Sequence, residues 1–291
     1  MLIIIVLLAL IFVFFLVIGV IDGNRFEVVY EEFTLPRLKK ECRFVLISDV
    51  HNKVYGNNNA LFIQAVKKID PDFIVVAGDL VTSRAGEDMT AGIALLNSLA
   101  KEYKIYYGLG NHESKIRECR DKFGDQFALL KEQLKSDNLV MLVNESAQIP
   151  EYNIKITGLE LPLTYFAHFK LHKMEAGYLA EVVGPPGKDM CNLLIAHNPD
   201  YFKEYAEWGT DLVLSGHVHG GIMRLPVLGG VIAPSYRLFP KYDGGVYKEN
   251  GSVMLLGRGM GAHTIPLRFF NPAQLYAVTL KPHREDDCTK R

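Results

Sequence analysis

Five short segments of this chain carry side chains that bind divalent metals. They are Asp49-Val50-His51, Gly78-Asp79, Gly110-Asn111-His112-Glu113, Ala196-His197 and Gly216-His217-Val218-His219. Carboxylate oxygen, imidazole nitrogen and an amide oxygen make a mixed donor set suited to manganese, iron or zinc. Taken singly, most have plainer readings. An Asp-x-His is more often a capping Asp beside a surface His, Gly-Asp is a common turn, and Asn-His can open a helix, as can His197 ahead of Asn198-Pro199. Two imidazoles at i and i+2, followed by Gly220-Gly221, rarely arise for packing alone. Each segment also ends a strand-like apolar run, so five rigid elements can deliver donors to one two-metal site.

The apolar pattern supplies those elements. Residues 43–48, 73–77 and 104–108 are short continuous apolar runs, the pattern of strands buried on both faces. Residues 60–69 and 91–101 have apolar side chains at helical spacing. This alternation predicts an α/β domain with functional groups on the loops after strand C-terminal ends. Further strands are expected at 153–158, 192–196 and 211–214, with β-hairpins from Gly220 to Leu280, where Gly, Pro and β-branched residues accumulate. The expected boundaries are an anchor at 1–21, a linker and strand lead-in at 22–42 with Pro36 as a breaker, a catalytic domain at 43–281 and a polar tail at 282–291.

The first 21 residues contain no charged or polar side chain. As a helix this run would span about 31 Å, close to the thickness of a hydrocarbon core. A cleaved signal peptide has a basic start, a shorter apolar stretch and a small-x-small cleavage site, none of which is present. A retained transmembrane helix in the cell membrane is therefore expected. Arg25, Arg37, Lys39 and Lys40 follow it, and the positive-inside rule favours a cytoplasmic catalytic domain, although Asp22, Glu27, Glu31 and Glu32 interleave.

Of 291 residues, 32 are Lys or Arg and 33 are Asp or Glu, a net charge of −1. Such a balance, without basic clusters, offers no track for a nucleic-acid backbone, so no nucleic-acid partner is expected. A charged fraction of 22% with 11% aromatics excludes general disorder. Cys42, Cys119, Cys191 and Cys288 lie too far apart for a zinc knuckle or a dense disulfide framework.

In the order D-x-H, GD, GNHE, H and GHxH, residues 43–280 resemble the calcineurin-like metallophosphoesterase superfamily. The runs Ser48-Asp49-Val50-His51-Asn52, Leu214-Ser215-Gly216-His217-Val218-His219-Gly220-Gly221 and Gly257-Arg258-Gly259-Met260-Gly261, with the apolar N-terminus, resemble its membrane-associated branch typified by YkuE and YaeI. That branch often has Gln where this chain has Ile222. The resemblance implies an α/β, metallophosphoesterase-type four-layer α/β/β/α sandwich preceded by a transmembrane helix. It implies two divalent metal ions (Mn, Fe or Zn), one on Asp49, His51, Asp79 and His219 and the other on Asp79, Asn111, His197 and His217. Asp79 would bridge ions about 3.5–4 Å apart, and a metal-bridging hydroxide would attack a phosphate ester or pyrophosphate. Four positive charges against two carboxylates, Asp49 and Asp79, would leave the site cationic and suited to a phosphoryl group.

His112 is implied as the catalytic residue, a general acid or transition-state stabiliser whose tautomer a neighbouring carboxylate would set. Glu113 reads equally well as a helix first-turn carboxylate. Asn52, Arg224, Arg258 and Arg268 are candidate substrate contacts, Arg258 and Arg268 equally readable as structural ion-pair partners. Residues 163–178 mix aromatic and basic groups (Tyr165, Phe166, His168, Phe169, Lys170, His172, Lys173) and are expected as an amphipathic surface helix or a lid. The expected partner is a phosphorylated small molecule or a lipid-linked substrate, of the UDP-2,3-diacylglucosamine kind. The competing readings are a catalytically silent membrane scaffold and a phosphodiesterase or nuclease of the same fold.

Overall fold

A computed structural model describes residues 1–167, 171–221, 223–225, 228–233, 237–262 and 267–283. The elements in the first half are α1 (Leu2–Asn24), β1 (Phe26–Leu35), β2 (Cys42–Ile47), α2 (Ala60–Ile69), β3 (Phe73–Ala77), α3 (Thr90–Leu99), β4 (Lys104–Gly108), α4 (Asn111–Glu118), α5 (Arg120–Phe123), α6 (Gln126–Gln133) and β5 (Leu139–Leu142). There follow β6 (Glu145–Ile149), β7 (Ile154–Leu159), α7 (Tyr178–Val183), β8 (Cys191–Ala196), α8 (Phe202–Trp208), β9 (Leu212–Ser215), β10 (Arg224–Leu225), β11 (Gly229–Gly230), β12 (Gly245–Glu249), β13 (Ser252–Leu256) and β14 (Ala273–Pro282).

Two six-stranded sheets form, ordered β1-β14-β2-β3-β4-β5 and β12-β13-β9-β8-β7-β6. The runs β2-β3-β4-β5 and β7-β8-β9-β13 are parallel, so their C-terminal ends emerge on one side of each sheet. The two-residue period of a strand sends alternate side chains to opposite faces. Phe44 and Leu46 face the other sheet, where Leu193, Ile195, Leu212 and Leu214 meet them. Val45 and Ile47 face Phe62 and Val66 of α2, Leu96 of α3 and Ile116 of α4. On the far side, Leu194 and Val213 pack under Leu179 of α7 and Phe202 and Tyr205 of α8. Helices, sheet, sheet, helices: the four-layer α/β/β/α sandwich is the observed architecture.

Three local expectations are corrected. Residues 22–42 are not a simple linker, because they hold the end of α1 and the ten-residue strand β1, parallel to β14. As an edge strand it leaves Glu27, Tyr30, Glu32 and Thr34 exposed, which mimics linker composition. The β-hairpins expected to Leu280 are β10–β11 and β12–β13, but β14 returns to the first sheet between β1 and β2. Among the described residues of 163–178 there is no long helix: Leu163–Phe166 is a single 3-10 turn after Pro162, and Tyr178 opens α7. His168, Phe169, Lys170, Ile222, His263 and the tail from 284, with Cys288, lie outside the described residues.

The helix α1 is long and apolar enough to cross a membrane. Most of its large side chains are exposed, as a lipid-facing helix requires, and burial begins only at Gly19, Asp22 and Gly23.

Candidate metal centre

The parallel strands place each donor. Asp49 and His51 follow β2, Asp79 follows β3, Asn111 and His112 open α4 after β4, His197 follows β8, and His217 and His219 follow β9. All sequence-predicted metal ligands therefore meet at the C-terminal ends of both sheets, where open parallel sheets bind ligands. The backbone there is strained. Asp49, His51, Asn52, Asp79, His217 and His219 all have φ between 49° and 74°. Each such position costs of order 1–3 kcal/mol, and this clustering is what an imposed functional geometry produces.

Close backbone approach explains the neighbouring glycines. A Cβ at Gly110 would stand 2.2 Å from Oδ1 of Asp79, and one at Gly216 would stand 2.5 Å from Oδ2 of Asp49. Any side chain at either position would displace a carboxylate.

Three donor clusters form: Asp49, His51 and His219; Asp79, His197 and His217; and His51, Asp79 and His112. Nε2 of His51 and His219 are 3.1 Å apart. Nε2 of His219 is 3.4 Å from Oδ1 of Asp49, and Nε2 of His197 is 3.0 Å from Oδ2 of Asp79. That same Asp79 oxygen is 3.8 Å from Nε2 of His51. An ion about 2.1 Å from each donor needs neighbouring donors about 3.0–3.4 Å apart, so the spacing fits. Oδ2 of Asp49 and Oδ1 of Asn111 are buried with no hydrogen-bond donor, lone pairs that a cation would satisfy. Oδ2 of Asp79 thus faces both the His197 donor and the His51 donor, an arrangement that fits two neighbouring ions.

Hydrogen bonds sort the histidines by tautomer. Nδ1 of His197 lies 2.6 Å from the carbonyl of Ala77, and Nδ1 of His219 lies 3.3 Å from that of Gly261. A carbonyl only accepts, so both rings donate through Nδ1, and in the neutral ring Nε2 is left with the lone pair that binds a metal. His112 is the reverse. The backbone N–H of Ser83 donates to its Nδ1 at 2.8 Å, with the Ser83 hydroxyl at the same distance. In the neutral ring Nε2 of His112 therefore carries the proton and is a hydrogen-bond donor. The carboxylate expected to orient His112 is replaced by the Ser83 backbone.

Electrostatics follow from burial among opposite charges. Burial pushes the Asp49 carboxyl up to about 6, with the His197 imidazole pulling the other way. Burial also raises Asp79, but the imidazoles of His197, His112 and His51 outweigh it and hold that carboxyl well below the usual range. Burial lowers His197, and the carboxylates of Asp79 and Asp49 overcome it, raising the imidazole to about 10.

Glu113 is the residue that sequence reasoning undervalued. It is fully buried, and its carboxylate accepts the N–H groups of Asp79 and Gly110 at 2.9 Å and of Val81 at 3.2 Å. Its position at the third residue of α4 was the available signal.

The candidate substrate contacts separate. Arg224 is ion-paired with Asp243 at 3.0 Å and bonds the Gly220 carbonyl. Arg268 is buried, and its guanidinium donates to the carbonyls of Gly259, His219 and Arg258. Both guanidiniums thus bond to protein groups. Asn52 keeps both side-chain polar atoms buried without a partner, and Arg258 keeps Nε likewise. From 163–178, Phe166 sets its ring 5.1 Å from that of His217 and 6.2 Å from that of His197.

Residues 42–221 match the family described as Calcineurin-like phosphoesterase. An uncharacterized metallophosphoesterase of Campylobacter jejuni, Cj0846, is 28% identical over 263 residues, 88% of this chain and 63% of that protein. A bovine transmembrane protein with metallophosphoesterase domain is 26% identical over 85% of this chain and 54% of its own length. The phosphodiesterase YaeI of Escherichia coli is 27% identical over 56% of this chain and 54% of its own length. The chain thus spans between 54% and 63% of these relatives. Because the matched region runs from β2 past His219 and so contains every donor in the clusters, this chain belongs to the calcineurin-like phosphoesterase family.

Proposed function

We propose that this chain is a membrane-anchored dimetal phosphoesterase that hydrolyses a phosphate ester or pyrophosphate. One ion belongs to Asp49, His51, Asp79 and His219, the other to Asp79, Asn111, His197 and His217, and Asp79 is shared. The observation that supports this reading is the split of tautomers around Asp79: His197 and His219 offer lone pairs, whereas His112 offers a proton. Two divalent ions, when bound, supply positive charge against the phosphoryl oxygens and acidify water enough to make it a nucleophile near neutral pH.

The chain's own residues do the rest. His112 donates from Nε2 to a phosphoryl or leaving-group oxygen, held in that tautomer by the N–H of Ser83. Its N–H donates to Oδ1 of Asp79 at 2.9 Å, which ties the donor to the shared carboxylate. Glu113 positions both loops, and Phe166 covers the His197 side. The substrate we favour is lipid-linked, a nucleotide-sugar lipid being one such molecule, because α1 leads into β1 with one residue between them. The cytoplasmic side of the cell membrane is the side we favour for the catalytic domain, a reading the flanking basic residues support.

The test is metal content and turnover of the full-length chain in detergent micelles, with aryl phosphate monoester and diester as substrates. The expected result is near two ions per chain and manganese-stimulated hydrolysis. A metal-replete protein that binds no ion and turns over neither substrate would instead be a membrane scaffold.

A further inference from the structure

The inner end of α1 is packed onto the catalytic domain along two helical turns. The ring of Phe15 meets those of Phe269 and Phe270 edge-on, at 6.5 and 5.9 Å. The carbonyl of Gly19 accepts the N–H of Arg268 at 3.2 Å, and a Cβ at Gly19 would stand 2.8 Å from the Phe269 ring. Buried Asp22 accepts from Arg25 at 2.9 Å and from the N–H of Asn271 at 3.2 Å. Phe270 is held at φ 53°, a costly conformation for a bulky residue, with its ring against the helix. From Phe15 to Asp22 is about 10 Å of helix rise, so the two phenylalanines sit on the apolar side of the end of the span.

Between this junction and Arg258 lies an open cleft of about 550 Å³. Its lining combines the apolar side chains of Ile18, Ile21 and Phe270 with the guanidiniums of Arg25 and Arg258 and the carboxylates of Asp22 and Glu27. The acids on its lining are already engaged: Asp22 is 2.8 Å from Arg25, and Glu27 is 3.6 Å from the same guanidinium. Arg258 is half-buried, has no carboxylate within 4 Å among the described residues, and keeps Nε without an acceptor. Asp243 and Glu27 act on it only from a distance, so a partly desolvated guanidinium with an unpartnered Nε still has a hydrogen bond to give an anion, and its fork matches phosphate geometry.

We propose that this cleft binds a membrane amphiphile with a phosphate headgroup, its phosphate on Arg258 and its first acyl segment against Ile18, Ile21 and Phe270. The inference rests on α1 spanning a membrane and is independent of the metal centre. The cleft then draws its ligand from the bilayer, and the same lipid cements the helix to the domain.

The test uses the full-length chain, metal-loaded, in phosphate-free maltoside micelles. Dioctanoyl phosphatidic acid, dioctanoylglycerol and inorganic phosphate are titrated by calorimetry, before and after chelation. The expected result is saturable one-to-one binding of phosphatidic acid that survives chelation, with the other two at least about tenfold weaker. Arg258→Gln should weaken the lipid at least about tenfold, Arg258→Lys less, and Phe270→Ser should weaken it while inorganic phosphate is unaffected. Melting temperature and metal content show that each variant is folded. Equal binding of inorganic phosphate would make this a free-phosphate site and overturn the membrane source. Binding abolished by chelation, or unchanged in Arg258→Gln, would overturn the cleft itself. A protein that binds no metal yet takes the lipid would sink the hydrolase reading and leave this one standing.

Discussion

Oε2 of Glu113 accepts the backbone N–H of Asp79 at 2.9 Å, so the carboxylate that follows His112 holds the loop of the shared candidate ligand. The same side chain takes the N–H groups of Gly110 and Val81. Three buried donors thus depend on one residue. Glu113→Ala leaves them without an acceptor, and at about 1–3 kcal/mol for each orphaned group the protein should lose several degrees of melting temperature and bind metal more weakly. Thermal denaturation checks this; an unchanged melting temperature would show that the loop is held by other contacts.

Asp79 stands in two of the three donor clusters, with His51, His112, His197 and His217 around it. Asp79→Asn keeps the volume and removes the charge. Elemental analysis should find less than one ion per chain, and turnover should fall by at least about a hundredfold. Substantial residual activity would refute the sharing of Asp79.

Because a backbone N–H sets the His112 tautomer, the Ser83 hydroxyl should matter little. His112→Ala is expected to keep both ions and lower kcat about 10²–10⁴-fold, whereas Ser83→Ala should change it less than about threefold. Loss of metal in His112→Ala would reassign it as a ligand.

Metal uptake should compete with protons. In the metal-free cluster the Asp49 carboxyl titrates near 6, raised by burial, and the His197 imidazole near 10, raised against burial by Asp79 and Asp49. Both must be deprotonated to ligate, so binding releases protons and apparent affinity rises as pH rises through this window. Calorimetry should find manganese bound at least about tenfold more tightly at pH 7.5 than at pH 5.5. Equal affinities would contradict the burial of these two groups at the binding site.

Asn271 joins the membrane helix to the metal loop. Its N–H reaches Asp22, and its side chain donates to the carbonyls of His219 and Gly221 at 2.7 and 2.8 Å. Asn271→Ala should weaken metal affinity about 10–100-fold, the usual effect of removing a group that orients a ligand loop. Equilibrium dialysis against manganese reads this out, and wild-type affinity would show that the His219 loop stands without it.

Much of this protein is determined locally and is therefore legible in its sequence. The runs at 43–48, 73–77 and 104–108 become β2, β3 and β4 because continuous β-branched, aliphatic and aromatic stretches such as these suit strands buried on both faces. The donors at their ends needed no tertiary information, since strand termini and glycines mark them. The uncharged N-terminal run likewise reads as a membrane span by length alone.

Other features depend on partners far apart in the chain. That Ser83, 29 residues before His112, sets its tautomer depends on how the loop after β3 folds over α4. Arg268 serves the carbonyls of Gly259, His219 and Arg258, whereas Arg258 lines an open cleft and keeps Nε without a partner among the described residues. Residue type cannot separate the two arginines; only the direction in which packing turns each guanidinium does. Glu113 makes the same point, because a first-turn carboxylate becomes a clamp on Asp79 only when β3 and β4 lie side by side. Residue type sets which bonds a side chain can form, and the tertiary structure selects among them by bringing specific backbone groups within reach.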